Sequence, residues 1–151
     1  MNNHDLFRYD DVALDIPAVT QHDVLAWLSE TIGSRSGLDE DDIFQALSWR
    51  HKLGSTAINH GVAVPHARIS SAKEPSIAFT RLKEPIEFGA PDGRPVDLVF
   101  AVIWPSTARD LFFKTLAAIC RVPKEPKLLD RLRDTSCSIE AGALLAQAVE
   151  S

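Results

Sequence analysis

With two cysteines in 151 residues, no long apolar run and no surplus of basic charge, the chain is narrowed first by what it lacks. Cys120 and Cys137 stand at no metal-ligand spacing and read as reduced thiols of a cytoplasmic protein, a disulfide between them being left open. No stretch approaches the roughly 18 apolar residues of a spanning helix, so no direct membrane insertion is expected. A formal charge of −5 and a pI of about 5.5 speak against general affinity for nucleic acid or anionic membranes. Residues 1–5 carry no basic segment leading into an apolar one, so no secretory signal is expected. Repeats, low-complexity tracts and linkers are missing from the pattern. The histidines and carboxylates lack a His-x-x-x-His type of spacing with a partner acid, so neither a metal nor a cofactor is expected.

What remains is 45% hydrophobic and 25% charged, the composition of one ordinary globular domain over residues 1–151 with a real core. Residues 12–16 alternate apolar and polar up to Pro17 and predict a short strand. Thr20, with Asp23 three residues on, predicts the capped start of a helix running to about Ile32, Gly33 and Gly37 punctuating the loop behind it. Asp39 caps a second helix with an acidic first turn and a basic last turn, residues 49–52, which Gly54 ends. Residues 57–59 and 62–64 predict two short strands broken at His60 and Gly61. A further strand covers residues 77–82, with 83–85 as its stop, and a turn follows around Asp92 and Gly93. Residues 96–104, flanked by Pro95 and Pro105, form the most apolar run and predict a central strand buried on both faces. Helices are expected from about Ala108 to Arg121, with Cys120 on or near its apolar face, then over 127–133 and 139–149. Strands and helices mixed in this order predict an α/β sandwich built on one sheet.

The stretch from 54 to 68 concentrates the chemistry. It runs from Gly54, Ser55 and Thr56 through a short apolar segment to Pro65 and His66. Proline fixes its own φ and biases the residue before it toward extended geometry, so the pair is expected to end a strand and present the imidazole on stiff backbone. With an ordinary pKa near ~6.5, that ring is largely neutral and nucleophilic at cellular pH. Beside hydroxyls and backbone N–H groups it suits acceptance of a phosphoryl group. The plainer reading is a surface or capping histidine after a strand.

Residues 50–56 (Arg-His-Lys-Leu-Gly-Ser-Thr) and 61–67 (Gly-Val-Ala-Val-Pro-His-Ala) resemble the enzyme IIA domains of the fructose/mannitol type. That family belongs to the bacterial phosphoenolpyruvate-dependent phosphotransferase system and includes the nitrogen-regulatory IIA proteins. Residues 83–88, 95–101 and Pro105, and the opening strand and helix with Val24 and Leu25, extend the resemblance over nearly the whole chain. It implies a mixed sheet of about five strands flanked by helices. It also implies a carrier component of the transfer system rather than a stand-alone enzyme. The family's active histidine falls on His66, which takes a phosphoryl group from a histidine-containing phosphocarrier protein or its nitrogen-branch counterpart. The family's arginine falls on Arg50, whose planar guanidinium suits a clamp on phosphoryl oxygens; by itself Arg50 reads equally as a cation serving a helix C-terminus. Ser55 and Thr56 are candidate donors to the phosphoryl group, or plain turn residues.

One departure stands out. Family members usually carry a second histidine early in the helix after the Pro105-like proline, and here Phe112 occupies its place. A phenyl ring walls a pocket but donates no hydrogen bond. Losing one positioned donor costs about 2–4 kcal/mol in sites that stabilise developing charge, so slower or absent phosphotransfer is expected. His60 compensates only if the backbone turns back at Gly61; extended, it stands up to ~20 Å from His66. His51, Lys52 and Lys114 are expected in solvent. Two functional classes follow: a phosphoryl carrier, or a phosphorylation-impaired binding module of the same fold that regulates by contact. The Leu-Gly-Ser-Thr block and the expectation of a free-standing chain favour the nitrogen-related branch, with an unidentified regulatory target. A fructose-type IIA feeding a separate IIB transporter subunit is the alternative.

Overall fold

The computed structural model describes residues 12–107 and 109–150, so the reading of residues 1–5 and the start at Ala108 lie outside the described residues. Five strands, β1 (Val12–Ile16), β2 (Val62–Ala63), β3 (His66–Arg68), β4 (Ser76–Ile86) and β5 (Val96–Trp104), form one mixed sheet. Its order is β1-β4-β5-β2, with β3 also on β5. β4 and β5 are antiparallel; β1 runs parallel to β4, and β2 and β3 run parallel to β5. The helices α1 (Gln21–Ser36) and α2 (Glu40–Leu53) cover one face, and α3 (Arg109–Cys120), α4 (Pro126–Asp134) and α5 (Ser138–Glu150) the other. β5 lies between the two apolar layers, which is why nearly every residue in it is buried.

Each layer takes alternate residues of the strands. Val62, Val64, Leu98, Phe100, Val102 and Trp104 pack toward α3–α5, whereas Ala63, Val99, Ala101 and Ile103 pack toward α1 and α2. Among the described residues, no helix is long and apolar enough to cross a membrane and no cluster of three His, Cys, Asp or Glu side chains is placed to hold a metal.

Four sequence expectations change. Helix α1 continues past Ile32 to Ser36 and ends at Gly37, whose φ of 78° supplies the left-handed cap. Gly33 is inside the helix because the returning chain passes there: a Cβ would stand 3.2 Å from the Leu38 carbonyl. Residues 57–59 form no strand; a single bridge joins Ala57 to Ala63 around a turn with positive φ at His60 and Gly61. β4 runs through Pro85 to Ile86, the proline falling where the register with β5 shifts, a place that needs no ladder N–H. Cys120, placed near the apolar face of α3, is exposed.

Candidate functional site

His66 stands where one strand is nicked. Val62 lies opposite Leu98, Ala63 opposite Val99 and His66 opposite Val102, so β2 and β3 share one unbroken register along β5. Pro65 has no N–H to give the ladder, which interrupts the strand at Val64 and Pro65 while the Pro65 carbonyl still accepts from Val102 N–H. The sequence predicts this histidine at the end of a strand; instead it opens β3. Both descriptions give it stiff backbone.

The half-buried imidazole has a neighbour for each nitrogen. Nδ1 is 2.7 Å from the Val64 carbonyl oxygen, and Nε2 is 3.3 Å from Arg50 Nε. A carbonyl only accepts and a guanidinium only donates, which assigns the tautomer: Nδ1–H donates to Val64, and the Nε2 lone pair faces Arg50. Burial pushes the His66 pKa below its ordinary value, and the Arg50 charge adds to this, against the opposing effect of the Val64 carbonyl. The ring is thus held neutral with a directed lone pair.

Arg50 comes from the last turn of α2. Its Nη1 donates to the Gly54 carbonyl at 3.0 Å, so it serves the helix end while turning Nε toward His66. The two readings of this residue coexist in one side chain.

The hydroxyls differ. Ser55 Oγ donates to the Phe88 carbonyl at 2.5 Å and accepts from Ala57 N–H, so its donor is committed to the loop. Thr56 Oγ1 is buried with no hydrogen-bond partner among the described residues, and the Thr56 carbonyl accepts from Val64 N–H. That hydroxyl stands one backbone bridge from the residue that holds Nδ1. Phe112 lies over the site as a wall, its ring centroid 5.9 Å from that of His66 and 6.1 Å from that of Trp104. His60 is elsewhere. Its N–H donates to Asp92 and its carbonyl accepts from Arg133, at the far end of β2. The strand between Val62 and His66 rises roughly 13 Å, so the turn at Gly61 does not bring His60 to the site.

His51 is half-buried, not solvent-exposed: Nε2 is 2.5 Å from Gln21 Oε1 and the ring meets Phe88 edge-on. Lys52 and Lys114 are exposed. Sequence reasoning missed Arg68, whose Cζ lies 5.5 Å from the Phe112 ring centroid and 5.8 Å from that of Phe113. The available signal was its spacing, two residues from His66 in an extended segment.

A family model described as "Phosphoenolpyruvate-dependent sugar phosphotransferase system, EIIA 2" matches residues 5–148. A nitrogen regulatory protein of Bradyrhizobium diazoefficiens is 39% identical over 98 residues, 65% of this chain and 64% of that protein's length. The nitrogen regulatory protein of Pseudomonas aeruginosa is 33% identical over 121 residues, covering 80% of this chain and 79% of its own. Among solved structures, the nitrogen regulatory protein IIA-Ntr of Neisseria meningitidis superposes with a TM-score of 0.90 at 30% identity, covering 94% of this chain and 97% of that one.

Proposed function

This chain belongs to the EIIA 2 family of the phosphoenolpyruvate-dependent sugar phosphotransferase system, and we propose that within it His66 accepts and passes on a phosphoryl group through Nε2. The observation that carries the reading is the pair of contacts on the ring, Val64 on Nδ1 and Arg50 on Nε2. Together they leave a neutral nucleophile aimed at a cation.

In the transfer, the Nε2 lone pair attacks the phosphorus of the donor's phosphohistidine in line. The new N–P bond forms as the donor's breaks, and that bond's electron pair returns to the donor imidazole. No proton has to leave His66: Nδ1–H stays on the Val64 carbonyl, which offsets the positive charge the ring acquires. Arg50 Nε–H, released from Nε2, donates to the phosphoryl oxygens. The buried Thr56 hydroxyl is a further donor without another commitment. Ser55 contributes by holding the loop and not through its hydroxyl proton.

The donor is a histidine-containing phosphocarrier protein, and the setting is cytoplasmic. The names of the relatives support a regulatory role in the nitrogen-related branch, with a regulatory target or a separate IIB subunit as the next partner. The test is incubation with phosphoenolpyruvate, the first enzyme of the system and the phosphocarrier. A mass gain of one phosphoryl group, absent in His66→Ala, is the expected result. No gain alongside an active control IIA points to the second reading, a contact regulator. Phe112 favours that reading, because the ring over His66 supplies no donor.

A further inference from the structure

We propose that Arg68 is a second anion-binding residue of the His66 site, held by Phe112 and Phe113 so that a phosphoryl group on Nε2 lies between two guanidinium groups. The inference rests on the phosphoryl reading of His66 and adds to it a residue and a reason for Phe112.

The geometry begins with the strand. β3 is three residues long, and its alternation puts His66 and Arg68 on the face toward α3 while Ala67 packs toward α1 and α2. Arg68 stands opposite Trp104 at the end of β5, so its side chain leaves the sheet beside the ring that roofs the site. Phe112 is shared between the two: 5.9 Å from the imidazole centroid and 5.5 Å from the Arg68 guanidinium carbon. Phe113, 5.6 Å from Phe112 and 53% exposed, takes the other part of the guanidinium at 5.8 Å. A planar, weakly hydrated guanidinium suits such a shelf, and stacking leaves its N–H edge free for an anion. Among the described residues, no carboxylate is paired with Arg68.

Charge supplies the need. A phosphoryl group carries roughly two negative charges near neutral pH, and Arg50 neutralises one while partly committed to Gly54. The Phe112 ring contributes no donor of its own, but it positions a side chain that has several. Arg50 approaches His66 from α2, and Arg68 reaches the Phe112 ring from β3 itself, so the two cations come from different elements. An exposed Phe113 next to a buried Phe112 is otherwise an odd expenditure of apolar surface at the head of α3.

The experiment uses the full chain and two readouts. In the first, the initial rate of phosphohistidine formation is compared for the unsubstituted protein, Arg68→Gln, Arg68→Lys and Phe113→Leu. Arg68→Gln is expected to be about tenfold slower, Arg68→Lys to recover part of the loss, and Phe113→Leu to fall two- to threefold. Unchanged transfer in Arg68→Gln overturns the proposal and leaves the His66 reading standing. Unchanged transfer in Phe113→Leu with a slow Arg68→Gln overturns the aromatic holding. If no variant, the unsubstituted protein included, gains phosphate, the His66 reading falls and the second readout decides. There, inorganic phosphate is titrated while the His66 ring nitrogens are followed by NMR. Binding that weakens about tenfold in Arg68→Gln and is partly restored in Arg68→Lys supports two cations. Equal binding in all variants, or none by the unsubstituted protein, overturns it.

Discussion

Two arginines, one on a strand and one at a helix end, show how the same side chain serves opposite purposes in a single domain. Arg81, on β4, is almost wholly buried, and every arm of its fork is used. Nε and Nη2 grip the Asp15 carboxylate at 3.0–3.1 Å, and Nη1 donates to the carbonyls of Leu132, Arg133 and Thr135 at the end of α4. It ties β1, β4 and α4 together. Arg50 donates to one carbonyl and otherwise faces an imidazole lone pair, which is a weak acceptor for a full charge. A guanidinium with all donors on carboxylate and carbonyl oxygens is part of the frame. One that faces a neutral nitrogen keeps capacity for an anion. Arg133, fixed on Asp97 and the His60 carbonyl, belongs with Arg81.

The contrast breaks if the substitutions do not separate. The largest expected effect is on transfer: Arg50→Gln should lower the rate of His66 phosphorylation about 10²-fold or more, with stability changed by less than about 0.5 kcal/mol. Rates with the phosphocarrier and urea melts check both halves. Arg81→Ala should do the reverse, costing about 3 kcal/mol because three carbonyls lose their donor, while the folded protein still accepts phosphate at a near-normal rate. Loss of transfer in a folded Arg81→Ala protein would merge the two roles. Phe112→His should speed transfer by restoring a donor in the roof, the gain held to about tenfold because the Arg68 guanidinium loses part of its aromatic shelf, read in the same assay.

A smaller effect sharpens the electrostatics. The folded pKa of His66 lies below its unfolded value near ~6.5, so the unfolded chain binds more protons as pH drops through that value. Stability should therefore hold above about pH 6.5 and decline below it, whereas the transfer rate should fall only as pH drops through the lower pKa of the folded ring. NMR titration of the ring should give a midpoint under 6.5 that rises in Arg50→Gln. Smallest is a control remote from both guanidiniums: Thr20→Ala removes the reciprocal cap with Asp23 and should cost about 1 kcal/mol, with transfer unchanged.

Several elements were legible because their causes are local. The Thr20 and Asp39 caps, the Gly54 stop and the apolar run of β5 need only nearest neighbours and periodicity. Pro85 and Gly33 misled for the complementary reason. A proline is tolerated where the partner strand slips register, and a glycine inside a helix is explained only by the chain that crosses it. The site divided in the same way. His66 and Arg50 stood out through the blocks they sit in, while Arg68 acquires meaning only beside Phe112 and Phe113 on another element.

By itself, the order of residues determined which segments are helices, which strand is central, and that an imidazole follows a proline beside a Gly-Ser-Thr corner. Those properties come from backbone sterics and apolar spacing over a few residues. Tertiary structure alone decided which ring nitrogen bears the proton, which hydroxyl is committed, and which arginines have every donor taken up by carboxylate and carbonyl oxygens. Each depends on a partner brought from another element, Val64 in the break just before β3 excepted, and hydrogen bonding across such distances leaves no periodic trace in the chain.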